Sequence, residues 1–232
     1  MVSERAAKVL RELRSDARTD DQLAALCARL LDAEGLAVSL VLDRGHTELV
    51  WCHGTVSARF EDLQFTLGEG PAVDALTFGR PVQVPELAQV RTGRWPALLA
   101  ALEGLPVRAV FAFPLVLGAI TVGVMTAVRS RPLPLSMEQA DDATAVARLL
   151  TARFLGGEHD TPQVLHRAVV HQATGMISVQ LGRPLAEALM RLRAFAYSHD
   201  RPITEVAQDV VARRLRFKND ETGPHVPVRD RG

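Results

Sequence analysis

The chain has 232 residues, 47% hydrophobic and 23% charged, which is enough for real cores in one large or two modest domains. Its 27 Lys/Arg balance 27 Asp/Glu, but residues 161–218 hold nine basic against four acidic side chains while residues 1–160 carry an acidic excess. Two cysteines exclude a disulfide framework, aromatics at 5% make base stacking a poor main recognition mode, and a charged start without a secretion signal leads us to expect a cytoplasmic protein.

A short helix is expected near Ser3–Arg14 and a second over Thr19–Ala33. In the second, Leu23, Leu26, Cys27, Leu30 and Leu31 share one face and Gly35 is read as the stop. Ala37–Leu42 and Glu48–His53 read as a hairpin with DRGH as its turn. The stretch LGEGPAVDALTFGRPVQVPEL gives a Gly-rich turn, a short helix and a strand around Val82–Val84, and Trp95–Leu102 reads as helical. Ala109–Val128 is twenty residues without a charge, long enough to span a bilayer. Pro114, Gly118 and Gly123 interrupt it and Val, Ile, Thr and Phe dominate it, so two buried antiparallel strands turning near Gly118 are expected instead.

Pro132 and Pro134 break the chain before Ser136 opens the longest helix, to about Leu155. Its seam of Met137, Ala140, Ala143 or Thr144, Ala147, Leu150 and Phe154 runs beyond what one sheet would cover, which predicts a connecting and pairing helix and hence a homodimer. GGEHDTP, residues 156–162, is read as a linker. Three amphipathic helices follow between Val164 and Phe217. The middle one carries Leu185, Ala188, Leu189, Leu192, Phe195 and Ala196 on one stripe. The first is expected to bury Leu165, Val169, Ala173, Met176 and Ile177, and the third Ile203, Val206, Ala207, Val210 and Val211. Left outside are Gln172, Thr174 and Gln180 on the first, Arg191 and Arg193 on the second, and Arg213, Arg214 and Arg216 on the third. So small a bundle has too little interior for an enclosed active site, and a partner-binding surface is expected. The tail, residues 219–232, is too polar and Pro/Gly-rich to pack and is expected to be disordered. The fold class is therefore α+β: a domain of antiparallel strands with flanking helices (1–155), a linker (156–162) and a small all-α domain (163–218).

Catalytic motifs are not found. Gly68-Glu69-Gly70 lacks a third glycine, with Val73 in its place, and no Walker Lys-Ser/Thr follows, so a structural turn is the better reading. His166 and His171 lie about 140° apart on a helix, and the adjacent Cys52 and His53 point to opposite faces of a strand, so neither pair makes a zinc site. No cofactor or metal is expected and the chain reads as a non-enzyme. Trp51, Trp95, Phe111 and Phe113 are the candidates for lining an apolar ligand pocket over the sheet; plain core packing is the alternative, and the role aromatics more often serve.

The phrases LGEGPAVDAL, GRPVQVPEL, Trp95 in the following loop and FAFPLVLGAITVGVMTAV resemble GAF sensory domains over roughly Thr19–Leu155. That resemblance implies a five- or six-stranded antiparallel sheet with packed helices and a small-molecule ligand; no cyclic-nucleotide signature or chromophore-attaching cysteine is present. From Thr161 to about Phe217 the chain resembles ANTAR domains. The resemblance is carried by Gln172-Ala173-x-Gly175-Met176, Glu187-Ala188, Leu192-Arg193-x-x-Ala196 and Val206-Ala207-x-x-Val210-Val211. It implies binding of RNA with paired hexaloop stem-loops and stabilisation of them against a transcription terminator. The RNA-contact candidates are Gln172, Thr174, Gly175, Arg191, Arg193, Arg213 and Arg214. Many family members carry Lys where Thr174 stands. Arg suits structured RNA because its planar guanidinium forks onto phosphate or stacks on an unpaired base. Gly175 costs about 1 kcal/mol against Ala in mid-helix, which close approach of RNA or tight helix packing would equally explain. Arg193 has a structural alternative, its stem lying over the bundle. Two rival readings remain open: a DNA-binding helix-turn-helix regulator, built on the turn Ser198–Pro202, and a dimerisation scaffold.

Overall fold

The computed structural model describes residues 2–15, 18–42, 47–156 and 167–218. The expected DRGH turn, the linker after Gly156, Leu165 and the tail lie outside the described residues. Two compact units emerge, one covering the strands and their helices and one holding the described residues from 167 onward.

In the first unit, helix α1 (Glu4–Leu13) is capped by Ser3, whose hydroxyl accepts from the Ala6 amide at 3.0 Å. Ser3 also donates its own amide and hydroxyl to the Asp142 carboxylate, at 2.9 and 2.6 Å. Helix α2 (Asp20–Leu30) opens with a Thr19/Gln22 capping box. It ends well before Gly35: Asp32, at φ 48°, turns the chain, and Gly35 is instead the first residue of strand β1 (Gly35–Val41). A Cβ on Gly35 would lie 2.7 Å from the Ser57 Cβ, so glycine there permits close packing of the following helix on the strand.

Strand β2 (Thr47–His53) pairs antiparallel with β1. Helix α3 (Thr55–Leu67) was not anticipated by hydrophobic periodicity. Its inward face includes Ser57, Glu61 and Gln64, which break the apolar stripe. Helix α4 (Pro71–Phe78) starts on proline and ends at Gly79 in the left-handed region. Strand β3 (Val82–Val84), a short 3₁₀ turn and helix α5 (Pro96–Ala101) follow, then β4 (Ala109–Leu117) and β5 (Ile120–Arg129), joined at Gly118 with φ 59°. The five strands lie in the order β2-β1-β5-β4-β3, with every described pairing antiparallel. The long apolar run is thus two central strands buried on both faces, and among the described residues no helix is long and apolar enough to cross a membrane.

Alternation along β4 builds two cores. Phe111, Phe113 and Leu115 face α1, α2 and the long helix α6 (Met137–Leu155); Val110 and Ala112 face the side that holds Phe60, Ala75, Trp95 and Leu98. Helix α6 has its own Ser136/Gln139 capping box. Of its expected pairing seam, Ala143, Ala147 and Leu150 are buried in the first core, whereas Met137 is 87% exposed. The sheet, α1 and α2 therefore occupy most of the surface that the sequence suggested for dimerisation.

The second unit has helices α7 (Ala168–Leu181), α8 (Leu185–Ser198) and α9 (Ile203–Val211). The buried stripe of α7 is Val170, Ala173, Thr174, Ile177 and Leu181. Ala173 and Ile177 are as expected, but Val170 and Thr174 turn inward in place of Val169 and Met176, so the stripe is rotated by less than one residue step of about 100°. Ala188, Leu189, Leu192, Phe195 and Ala196 of α8 and Ile203, Val206, Ala207 and Val210 of α9 close the same small core.

Candidate nucleic-acid interface

The rotation of α7 decides which of its side chains can touch a partner. Gln172 is exposed, and Val179 on the same side of the helix is 84% exposed. Gly175 lies between them, and a Cβ built on it meets nothing within 4 Å, so packing inside the bundle does not account for this glycine. Thr174 corrects an expectation: it is fully buried, and its hydroxyl donates to the Val170 carbonyl at 2.7 Å. That back-bond satisfies the hydroxyl inside the helix and removes it from any outer surface.

On α8, Arg191 is half-exposed and lies 3.5 Å from Glu187, whose carboxylate is also 3.8 Å from Arg183. Arg193 is largely withdrawn. Burial, and after it the neighbouring Arg167 guanidinium, pulls its pKa down to about 10, which fits the structural alternative for this side chain. The three arginines expected on the third helix lie beyond it, since α9 ends at Val211. Arg213 is exposed at φ 59°, and Arg214 donates to Asp209 from Nε at 2.8 Å. Arg201 donates to the other oxygen of Asp209 at 2.8 Å. Hydrogen bonds from Arg201, then from Arg214, hold the Asp209 carboxyl below the usual carboxylate range.

Sequence reasoning did not single out Arg216 and Lys218 as contacts. Both are exposed, while Leu215 and Phe217 between them are buried. The alternation Arg-Leu-Arg-Phe-Lys was the available signal, a period of two directly after a helix.

In the sheet unit the four aromatic candidates do not come together. Trp51, Phe111 and Phe113 are buried in the core beneath α1, α2 and α6, where Trp51 meets Phe154 edge-on at 5.3 Å. Trp95, at φ 56°, belongs to the core on the opposite face, with the Arg94 guanidinium 4.1 Å above its ring. Strand alternation puts Phe111 and Phe113 on one side of the sheet and α5 on the other, so these four rings serve as core. A groove of about 400 Å³ lies elsewhere, lined by Gln83, Val84, Glu86, Gln89, Arg91 and Arg94 among others. Inside the second core Gln64 donates to Glu61 at 2.9 Å and accepts from the Ala72 amide at 2.8 Å, which ties α3 to the start of α4.

Burial pushes the Cys27 thiol up to about 12; Cys52 rises to about 11, through burial first and then the Glu61 carboxylate. Protonated thiols are poor nucleophiles. Among the described residues no three His, Cys, Asp or Glu side chains are grouped to hold a metal ion.

Family models match the chain as a GAF domain over residues 6–154 and as an ANTAR domain over residues 162–211. Among solved structures, the chain is similar to the GAF domain of an Acinetobacter phosphoenolpyruvate-protein phosphotransferase. Identity is 10% and TM-score 0.51, covering 69% of this chain and 96% of that one. The corresponding GAF domain from Coxiella burnetii is 17% identical at TM-score 0.51, covering 67% of this chain and 97% of that one. A free methionine-R-sulfoxide reductase from Neisseria meningitidis, in complex with its substrate, is 16% identical at TM-score 0.50, covering 68% of this chain and 95% of that one. At such identities the likeness shows the fold alone. No curated protein matches the sequence. GAF domains bind small ligands and ANTAR domains are RNA-binding parts of antitermination regulators, so the domain content is regulatory rather than catalytic. The chain belongs to the GAF domain family and joins to that fold, at residues 162–211, an ANTAR domain.

Proposed function

We propose that the three-helix bundle binds paired-hexaloop stem-loops in nascent RNA and so favours the antiterminated transcript. The observation that carries this reading is the outer surface of the ANTAR domain: Gln172 exposed beside a glycine with open space above it, Arg191 half-exposed, and Arg213 exposed past the third helix. Amide and guanidinium groups together suit splayed bases and phosphates. In this reading Gln172, Gly175, Arg191 and Arg213 touch RNA, Arg214 does so after leaving Asp209, and Thr174 and Arg193 shape the bundle beneath them. The working limits are a sensory region of 1–155, a linker of 156–162, an RNA-binding region of 163–218 and a tail.

Two copies of the chain would engage two loops, gaining avidity through effective concentration. A small ligand in the GAF region alters RNA binding only if it prefers one arrangement of the protein. Binding to nascent transcripts requires a cytoplasmic protein. The test is a titration of the purified chain against a paired-hexaloop RNA and a duplex DNA of equal charge at two salt concentrations. Preference for the RNA is the expected result; preference for the duplex favours a helix-turn-helix regulator, and binding to neither favours a scaffold. Arg191→Ala should weaken RNA binding with thermal unfolding unchanged, and undiminished affinity would remove Arg191 from the contact set.

A further inference from the structure

We propose that the segment after the third helix, residues 213–218, is a phosphate-binding strap that enlarges the RNA surface beyond the three helices; this rests on the RNA reading above. The strap lies past residue 211, where the ANTAR match ends. Its course is fixed by the fold. Arg213 reverses the chain at φ 59°, and the Arg214 and Leu215 amides return to the Asp209 carbonyl at 2.8 and 3.1 Å. Leu215 and Phe217 are then buried at 4% and 6% exposure. The Phe217 ring meets Phe195 of α8 edge-on at 5.7 Å, and its amide donates to the Gln180 side-chain oxygen of α7 at 3.0 Å. The segment is thus pinned to two helices, and alternation leaves Arg214, Arg216 and Lys218 on its outer side.

Charge on the rest of the bundle identifies the occupant. Asp209 holds Arg201 and Arg214, while Glu187 lies within 4 Å of both Arg183 and Arg191. Among the described residues no acid forms an ion pair with Arg213, Arg216 or Lys218. Alternate residues of an extended chain are spaced by about 6.6 Å. That is the scale of neighbouring phosphates along a nucleic-acid strand, so Arg216 and Lys218 can neutralise two successive phosphates. Both cations stand on a backbone already ordered by Leu215 and Phe217, so little additional chain ordering is required on binding.

The experiment measures binding of a paired-hexaloop RNA by the full chain across a range of salt concentrations. The wild type is compared with Arg216→Ala/Lys218→Ala, with the glutamine pair R216Q/K218Q, and with Arg59→Ala/Arg108→Ala, which removes two exposed cations from the sheet unit. Each lost phosphate contact should make the slope of log K against log salt shallower by about 0.7, so both strap variants should lose about 1.4 and bind about tenfold more weakly. The glutamine pair keeps the side-chain stems, so it separates charge loss from any folding defect, and circular dichroism should match the wild type. Strap variants with an unchanged slope would overturn the proposal, as would an equal loss in the control pair. A wild type that binds no RNA refutes the RNA reading itself, whereas normal wild-type binding with indifferent strap variants refutes only the strap.

Discussion

The two units use their polar groups over different chain distances. In the sheet unit several polar ties join segments far apart in sequence: Ser3 to Asp142, Glu34 to Ser130, and Arg129 to the Leu31 carbonyl. In the bundle the pairs are local: Arg183 and Arg191 with Glu187, and Arg201 and Arg214 with Asp209. Where a distant tie is buried, as between Arg129 and the Leu31 carbonyl, it fastens the fold, because losing it leaves unsatisfied groups inside. Local, exposed pairs contribute little to stability and are free to exchange partners. Buried Arg129 is thus structural, whereas the half-exposed Arg191 and exposed Arg213 of the bundle are open to a partner.

Arg129 gives this contrast its largest expected effect. The side chain is 4% exposed, lies over the Phe111 ring at 5.1 Å, and donates to three backbone carbonyls and to Gln139. Arg129→Ala should destabilise the sheet unit by about 3 kcal/mol in urea unfolding, since several buried carbonyls lose their donor at once. Arg183→Ala in the bundle should cost no more than about 0.5 kcal/mol. Similar losses at the two positions would erase the distinction.

The same contrast explains what the sequence made legible. Caps and periodicity were visible as local signals, so α2, α4, β3, the β4–β5 pair and α6 could be read to within a few residues. Helix α3 was hidden because Ser57, Glu61 and Gln64 point inward, and polar side chains in a core obey tertiary rather than local rules. The aromatic quartet was left between pocket and core, with core the commoner role, because only the strand register tells that Phe111 shares a face with Trp51 and not with Trp95. In the bundle, Thr174 was misread as a surface residue because a threonine can satisfy its hydroxyl on its own helix. Arg213 and Arg214 were identified as candidates, but their position past α9 depended on a reversal at Arg213 that composition does not encode.

Gly175 provides a sharper, smaller test, because stability and recognition should move in opposite directions. Gly175→Ala should raise bundle stability by about 1 kcal/mol, as alanine is the better helix former and its methyl group enters open space. If RNA approaches the α7 backbone there, the same methyl group should weaken RNA binding severalfold. A higher melting temperature with undiminished RNA affinity would remove this face of α7 from the interface.

Asp209 offers the smallest effect and a pH signature. Its pKa is lowered in the folded protein by hydrogen bonds from Arg201 first and Arg214 second. The carboxylate therefore contributes stability that is complete above its unfolded value, about 4, and is lost as pH falls through the lower folded value. Both arginines are partly exposed, at 37% and 62% of their side-chain areas, so solvent screening limits the contribution to about 1 kcal/mol. Asp209→Asn should be less stable than the wild type by that amount at pH 7, and the difference should shrink in acid below about pH 4. The substitution also removes a negative charge and releases Arg201 and Arg214 towards solvent, so RNA affinity should rise while stability falls. A variant that loses stability and binds RNA less well would mean that Asp209 positions these arginines for RNA rather than withholding them from it.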